Sequence, residues 1–93
     1  MEIRFYIDRD TKQPHIYKHG ITEEEVEDIL IRPMEDRPGQ EGARVAVGQT
    51  RGGRYLRVVY VPDAAPASVF VITAYQLGPK VLAALKRRIR RKR

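Results

Sequence analysis

Apolar and polar positions alternate along "EIRFYI" (2–7), with Ile3, Phe5 and Ile7 on one side and Glu2, Arg4 and Tyr6 on the other. A period of two predicts a half-buried strand. The next segment, "DRDTKQPHIYKHG", predicts a turn and then one helical turn opened by Pro14 and closed by Gly20. From residue 23 the period lengthens. Val26, Ile29 and Leu30 fall on one stripe of a helix over 23–32, which Pro33 ends. Thr22 and Glu25 have the spacing of a capping box, Ile21 and Val26 that of a hydrophobic staple, and Glu23 and Glu24 complement the positive end of the helix dipole.

Proline and glycine mark "PMEDRPGQEG" (33–42) as a loop. Three strands are expected at 43–48, 54–61 and 69–75, with a hairpin turn at 50–53 and a longer loop at 62–68. After Gly78-Pro79, Val81, Leu82, Leu85 and Ile89 recur at helical spacing. The expected architecture is α+β: an antiparallel sheet of about four strands, with N-terminal helices and a C-terminal helix packed on it. On the strand at 54–61, Leu56, Val58 and Tyr60 form the face expected to meet the helices. Arg57 shares the other face with Tyr55, Val59 and Val61.

Charge changes the picture at one end only. Of the 18 Lys and Arg residues, seven lie in "KRRIRRKR" (86–93); the other 11 are set against 12 Asp and Glu, so the body is close to neutral. The reading is one domain over 1–85 and a basic tail over 86–93, with Lys86, Arg87, Arg88, Arg90, Arg91, Lys92 and Arg93 as candidate RNA contacts. No window has the ~18 uninterrupted apolar residues of a membrane span, the N-terminus lacks a signal peptide's apolar run, and cysteine is absent. A cytoplasmic protein without disulfides is expected.

The sequence carries no cofactor motif. His15 and His19 lack a third ligand at metal-binding spacing, "GQTRGGR" precedes a strand rather than following one, and no serine sits in a nucleophile elbow. Cations and aromatics on strands remain: Arg44, Arg54, Arg57, Tyr55, Tyr60 and Tyr75. Such side chains suit metal-free RNA cleavage, where arginine stabilises the phosphate and histidine, lysine or tyrosine moves protons. They are equally ordinary strand residues. Glu23, Glu24, Glu27 and Asp28 read as a solvated, dipole-compensating face of the helix.

The order of residues from Asp8 resembles the BrnT toxins of the RelE/ParE toxin–antitoxin superfamily. In "FYIDRDTKQPHIYKHGITEEEVEDILIRP" a short strand ending in Asp leads to Lys18-His19-Gly20, an amphipathic helix and a proline, as in that family. Glu41, Arg44 and Gly48 resemble its "E-x-R…G", and Ile72-Thr73-Ala74-Tyr75 the end of its strand pair. His15 stands where BrnT proteins carry asparagine, Tyr75 where they carry arginine, and their C-terminal signature gives way to "QLGPKVLAALKRRIRRKR". A related small domain family of unknown function ends its last strand in residues closer to Tyr75. The resemblance implies a RelE-like fold, a metal-independent endoribonuclease without cofactor, RNA as substrate and a cognate antitoxin as partner. Carried over residue by residue, it implies Lys18 and His19 at the site with His19 as proton carrier, Arg44 and Arg57 as phosphate stabilisers, and Tyr75 as base-stacking residue or acid. Arg54 is an RNA contact or flanks the turn. The alternatives are a catalytically silent RNA- or protein-binding module on the same fold, or a scaffold whose tail binds nucleic acid.

Overall fold

A computed structural model describes residues 1–64 and 67–91. Ala65 and Pro66 of the expected 62–68 loop, and Lys92 and Arg93 of the tail, lie outside the described residues. The elements run β1 (Glu2–Phe5), a 3₁₀ helix (His15–His19), α1 (Glu23–Ile31), β2 (Glu35–Pro38), β3 (Arg44–Gln49), β4 (Tyr55–Pro62), β5 (Ser68–Gln76) and α2 (Pro79–Arg91). The strands form one five-stranded sheet in the order β1-β5-β4-β3-β2.

This sheet corrects the expected one in two respects. β1 lies parallel to β5, pairing Ile3 with Val69 and Phe5 with Val71, so the sheet is mixed rather than antiparallel. Parallel neighbours need a long crossover, and everything between β1 and β5 serves as one. The alternation within residues 2–7 carries no information about direction. β2 is a strand inside the expected 33–42 loop, paired with β3 alone. Its sequence, Glu-Asp-Arg-Pro, has no apolar period, and at this edge of the sheet its proline and charges blunt further pairing. β3, β4 and β5 form the expected meander, with a register shift at Val59/Tyr60.

The α1 expectation holds in detail. The Thr22 hydroxyl accepts from the Glu25 amide at 3.1 Å, and the Thr22 amide donates to Glu25 Oε1 at 3.1 Å, completing the capping box. Val26 and Ile29 are fully buried, and Leu30 packs beside them. With Ile16 of the 3₁₀ helix and Ile21, they cover Ala46, Leu56, Val58, Tyr60, Val69, Val71 and Ala74, the larger core. Gly48 lies directly beneath α1. A Cβ there would stand 3.4 Å from Ile29 Cδ1 and 3.5 Å from the Arg32 carbonyl, at ordinary van der Waals contact.

α2 takes the other face, which corrects the expectation that all helices meet the Leu56–Tyr60 face. Leu85, with Leu82 and Ile89, packs on Val45, Val47, Tyr55 and Leu77. Strand alternation puts Val45 and Val47 opposite Ala46. Arg88 seals the contact with hydrogen bonds of 2.8 and 2.9 Å to the Glu35 carboxylate on β2. The helix runs without a break from residue 79 to Arg91, across the boundary expected after residue 85. No helix among the described residues is long and apolar enough to cross a membrane.

Candidate functional site

β1 ends opposite Val71, leaving the second half of β5 without a strand on that side. The chain fills the gap. Strand β1 stops at Phe5 rather than continuing to Ile7, which bridges Pro14 instead and is 48% exposed. Tyr6 still donates its amide to the Val71 carbonyl while its own carbonyl accepts from the His15 amide, and the Asp8 carbonyl accepts from the Lys12 amide in a turn where Lys12 has a positive φ. This tight loop brings the 3₁₀ helix back along β5. Its left-handed close at Gly20 (φ 70°), where the Gly20 amide donates to the Tyr17 carbonyl, is the expected one.

Folding back places Asp8 against His15. The His15 Nδ1 lies 3.0 Å from Asp8 Oδ1, and Lys18 Nζ lies 3.5 Å from Asp8 Oδ2. Asp8 is buried, which by itself raises its pKa. The hydrogen bond with His15 and the charges of Lys18 and His15 outweigh that effect and hold the carboxyl below its usual range. An ionised carboxylate can only accept, so Nδ1 carries the hydrogen and Nε2 is the ring nitrogen left facing away from Asp8.

From His15 the rings continue in a row. The His15 and His19 ring centres are 5.2 Å apart, and those of His19 and Tyr75 6.2 Å. Tyr6 packs edge-on against the other side of His15 at 6.1 Å. Beyond Tyr75, its cross-strand partner Arg57 donates to the Tyr75 hydroxyl at 3.3 Å and holds its guanidinium carbon 5.9 Å from the ring centre. Arg57 Nε is buried and has no hydrogen-bond partner. A histidine pair, a tyrosine and an incompletely satisfied arginine therefore form one continuous array, and His15, Lys18 and His19 reach solvent along it.

Four of the five expected catalytic residues, Lys18, His19, Arg57 and Tyr75, meet here. Arg44 does not. It projects from the opposite face of the sheet, where it donates to Asp36 Oδ1 at 2.9 Å and to the Asp36 carbonyl at 3.2 Å. Tyr60, its cross-strand neighbour, also donates to Asp36. Arg54 reaches the Gly20 carbonyl (3.1 Å), both Glu25 carboxylate oxygens (3.0 Å each) and Gln76 (3.3 Å), clamping the end of the 3₁₀ helix to α1 and β5. Among the tail cations, Lys86 lies over the Tyr55 ring at 5.3 Å, Arg88 is bound to Glu35, and Arg87, Arg90 and Arg91 are exposed. Sequence reasoning assigns no place at the site to Asp8 or His15. Their only signal is the turn-forming run between them, which can set residues seven apart side by side. Among the described residues no group of three His, Asp or Glu is placed to hold a metal ion.

Residues 15–76 match the family described as Domain of unknown function (DUF4258), about two-thirds of the chain, and the protein belongs to that family. The matched span runs from His15 through the end of β5 and so contains the two histidines, Lys18, Arg57 and Tyr75. Neither a curated protein nor a solved structure matches the chain.

Proposed function

We propose that this domain is a metal-independent endoribonuclease, a BrnT-like toxin of the RelE/ParE kind that cleaves RNA, blocks translation and is held inactive by a cognate antitoxin. The observation that carries this reading is the unbroken array Asp8–His15–His19–Tyr75–Arg57. It contains the three functions that phosphodiester transesterification needs. His15 Nε2, with Asp8 behind it to stabilise the imidazolium, takes the 2′-hydroxyl proton. The 2′-oxygen attacks phosphorus as the bond to the 5′-oxygen breaks. Arg57 offsets the charge on the five-coordinate phosphorus, and protonated His19 gives its proton to the departing oxygen. The products are a 2′,3′-cyclic phosphate and a free 5′-hydroxyl, so no outside reactant is consumed. Tyr75 offers a stacking surface for the neighbouring base. The open, solvent-facing position of the array suits a polymer.

The test is cleavage of a labelled single-stranded RNA by the purified protein in EDTA. Activity should persist, with His19→Ala and Arg57→Ala each slower by about 10²–10³-fold, the usual cost of one transition-state-stabilising group. Full activity in both variants would remove the site assignment, and loss of wild-type cleavage in EDTA would remove the mechanism. RNA binding without cleavage by the wild type would identify the silent binding module instead.

A further inference from the structure

We infer that a second ligand site, a single-stranded nucleotide subsite, lies between α2 and the start of β2. A groove of about 260 Å³ is lined there by Met34, Tyr55, Lys86, Ile89 and Arg90. Its floor is apolar and aromatic: Met34 is 41% exposed, Ile89 is half-buried, and the Lys86 ammonium lies over the Tyr55 ring. Its rim is cationic. Lys86 and Arg90 are four residues apart on α2, so their head groups share one side of the helix and repel each other. Neither is paired with a carboxylate among the described residues, whereas Arg88, on the adjoining stripe, is held by Glu35. A bridging anion relieves that repulsion, and an aromatic floor beside it selects an anion that carries a flat ring. A nucleotide meets both demands: the phosphates take Lys86 and Arg90, and the base takes the place of the ammonium over Tyr55.

This deepens the ribonuclease reading, on which it rests, by giving the RNA a path. Tyr55 and Arg57 are two residues apart on β4 and lie on the same face, about 6.6 Å from one another by strand rise. The groove and the His19–Tyr75–Arg57 array are therefore flanking stations for one strand. The cations of α2 act as an ordered helical surface rather than as a loose charge cloud.

The experiment uses the full chain and a fluorescein-labelled hexauridylate with 2′-O-methyl sugars, which cannot be cleaved, titrated at several salt concentrations. The double variant K86Q/R90Q should bind at least tenfold more weakly at low salt. The slope of log K against log salt should shallow by about one to one and a half units, at roughly 0.7 for each phosphate no longer neutralised. Tyr55→Leu keeps an apolar side chain but removes the ring, and should weaken binding by about fivefold or more at an unchanged slope, while Tyr55→Phe should bind as wild type. Melting curves of all variants separate lost binding from lost fold. An unchanged slope in K86Q/R90Q, or full binding by Tyr55→Leu, overturns the subsite, and so does a wild type that does not bind the probe. Displacement of the probe by polyglutamate as readily as by RNA identifies an acidic protein segment as the occupant and also overturns it. Absence of RNA cleavage by the wild type, with these binding effects intact, would refute the ribonuclease reading while leaving the subsite standing.

Discussion

Arg44 and Arg57 occupy adjacent strands of one sheet, and the two faces treat them in opposite ways. On the α1 face Arg44 is held by Asp36, whose carboxylate also accepts from Tyr60, and Arg54 at the same face is held by Glu25, the Gly20 carbonyl and Gln76. Every one of these groups has a partner within the fold. On the other face Arg57 has one long hydrogen bond to Tyr75 and a buried, unpartnered Nε. An orphaned buried donor costs on the order of 1–3 kcal/mol, and a folded domain retains such a cost where another purpose requires it. Of these three arginines, Arg44 and Arg54 are held by carboxylates, and Arg57 is left with an unsatisfied donor.

The two arginines should differ most in catalysis. Arg57→Ala should lower the rate of RNA cleavage by about 10²–10³-fold, while Arg44→Ala should leave it within about twofold of wild type. Single-turnover rates for the two proteins decide the matter; equal losses would mean that face does not separate their roles.

Stability should reverse that order. Arg54→Ala removes the clamp and leaves Glu25 and the Gly20 carbonyl without it, which should cost about 1.5–3 kcal/mol. Arg57→Ala should cost little or nothing. Urea denaturation of both variants provides the test, and a larger loss for Arg57 than for Arg54 would contradict the division of labour. Thr22→Ala, which removes the other half of the same corner, should cost about 1 kcal/mol. In a domain of this size that is a fall of about 4–8 °C in Tm.

The smallest effect separates Asp8 from the structural carboxylates. Its pKa is lowered in the folded state, so its contribution is fully present above the unfolded aspartate value of about 3.9 and is lost as pH falls through the lower folded value. Stability should therefore drop below about pH 4. Asp63, lowered by its hydrogen bonds from Arg4 and Ser68, adds to the same limb. Asp8→Asn should flatten part of the limb and leave the Asp63 part. An acid limb identical to wild type would mean that Asp8 is not tied to His15 and Lys18 in solution.

α1 and its capping box were legible in residues 21–33 because their determinants are local. A capping box, a staple and a 3.6-residue apolar stripe all lie within one short window, and each stabilises the same conformation. β3, β4 and β5 were legible for a similar reason, since period-two patterns joined by short turns pair with their sequence neighbours. β2 was not, because its half-buried position, Glu35, is held by Arg88 rather than by apolar packing, so Glu-Asp-Arg-Pro leaves no apolar period. Lys18, His19, Arg57 and Tyr75 could be named as candidates from residue type and order.

Their assembly was decided elsewhere. Whether Arg44 or Arg57 shares a face with Tyr75 depends on strand register, which is set by contacts between residues far apart in the chain. The Asp8–His15 pair depends on β1 stopping at Phe5 and the chain turning back beside β5, which follows from the parallel β1–β5 pairing. Local physics determined the elements of this protein, because hydrophobic period and capping act over a few residues. Only the tertiary structure decided which side chains meet, because burial is shared among elements that the sequence places far apart.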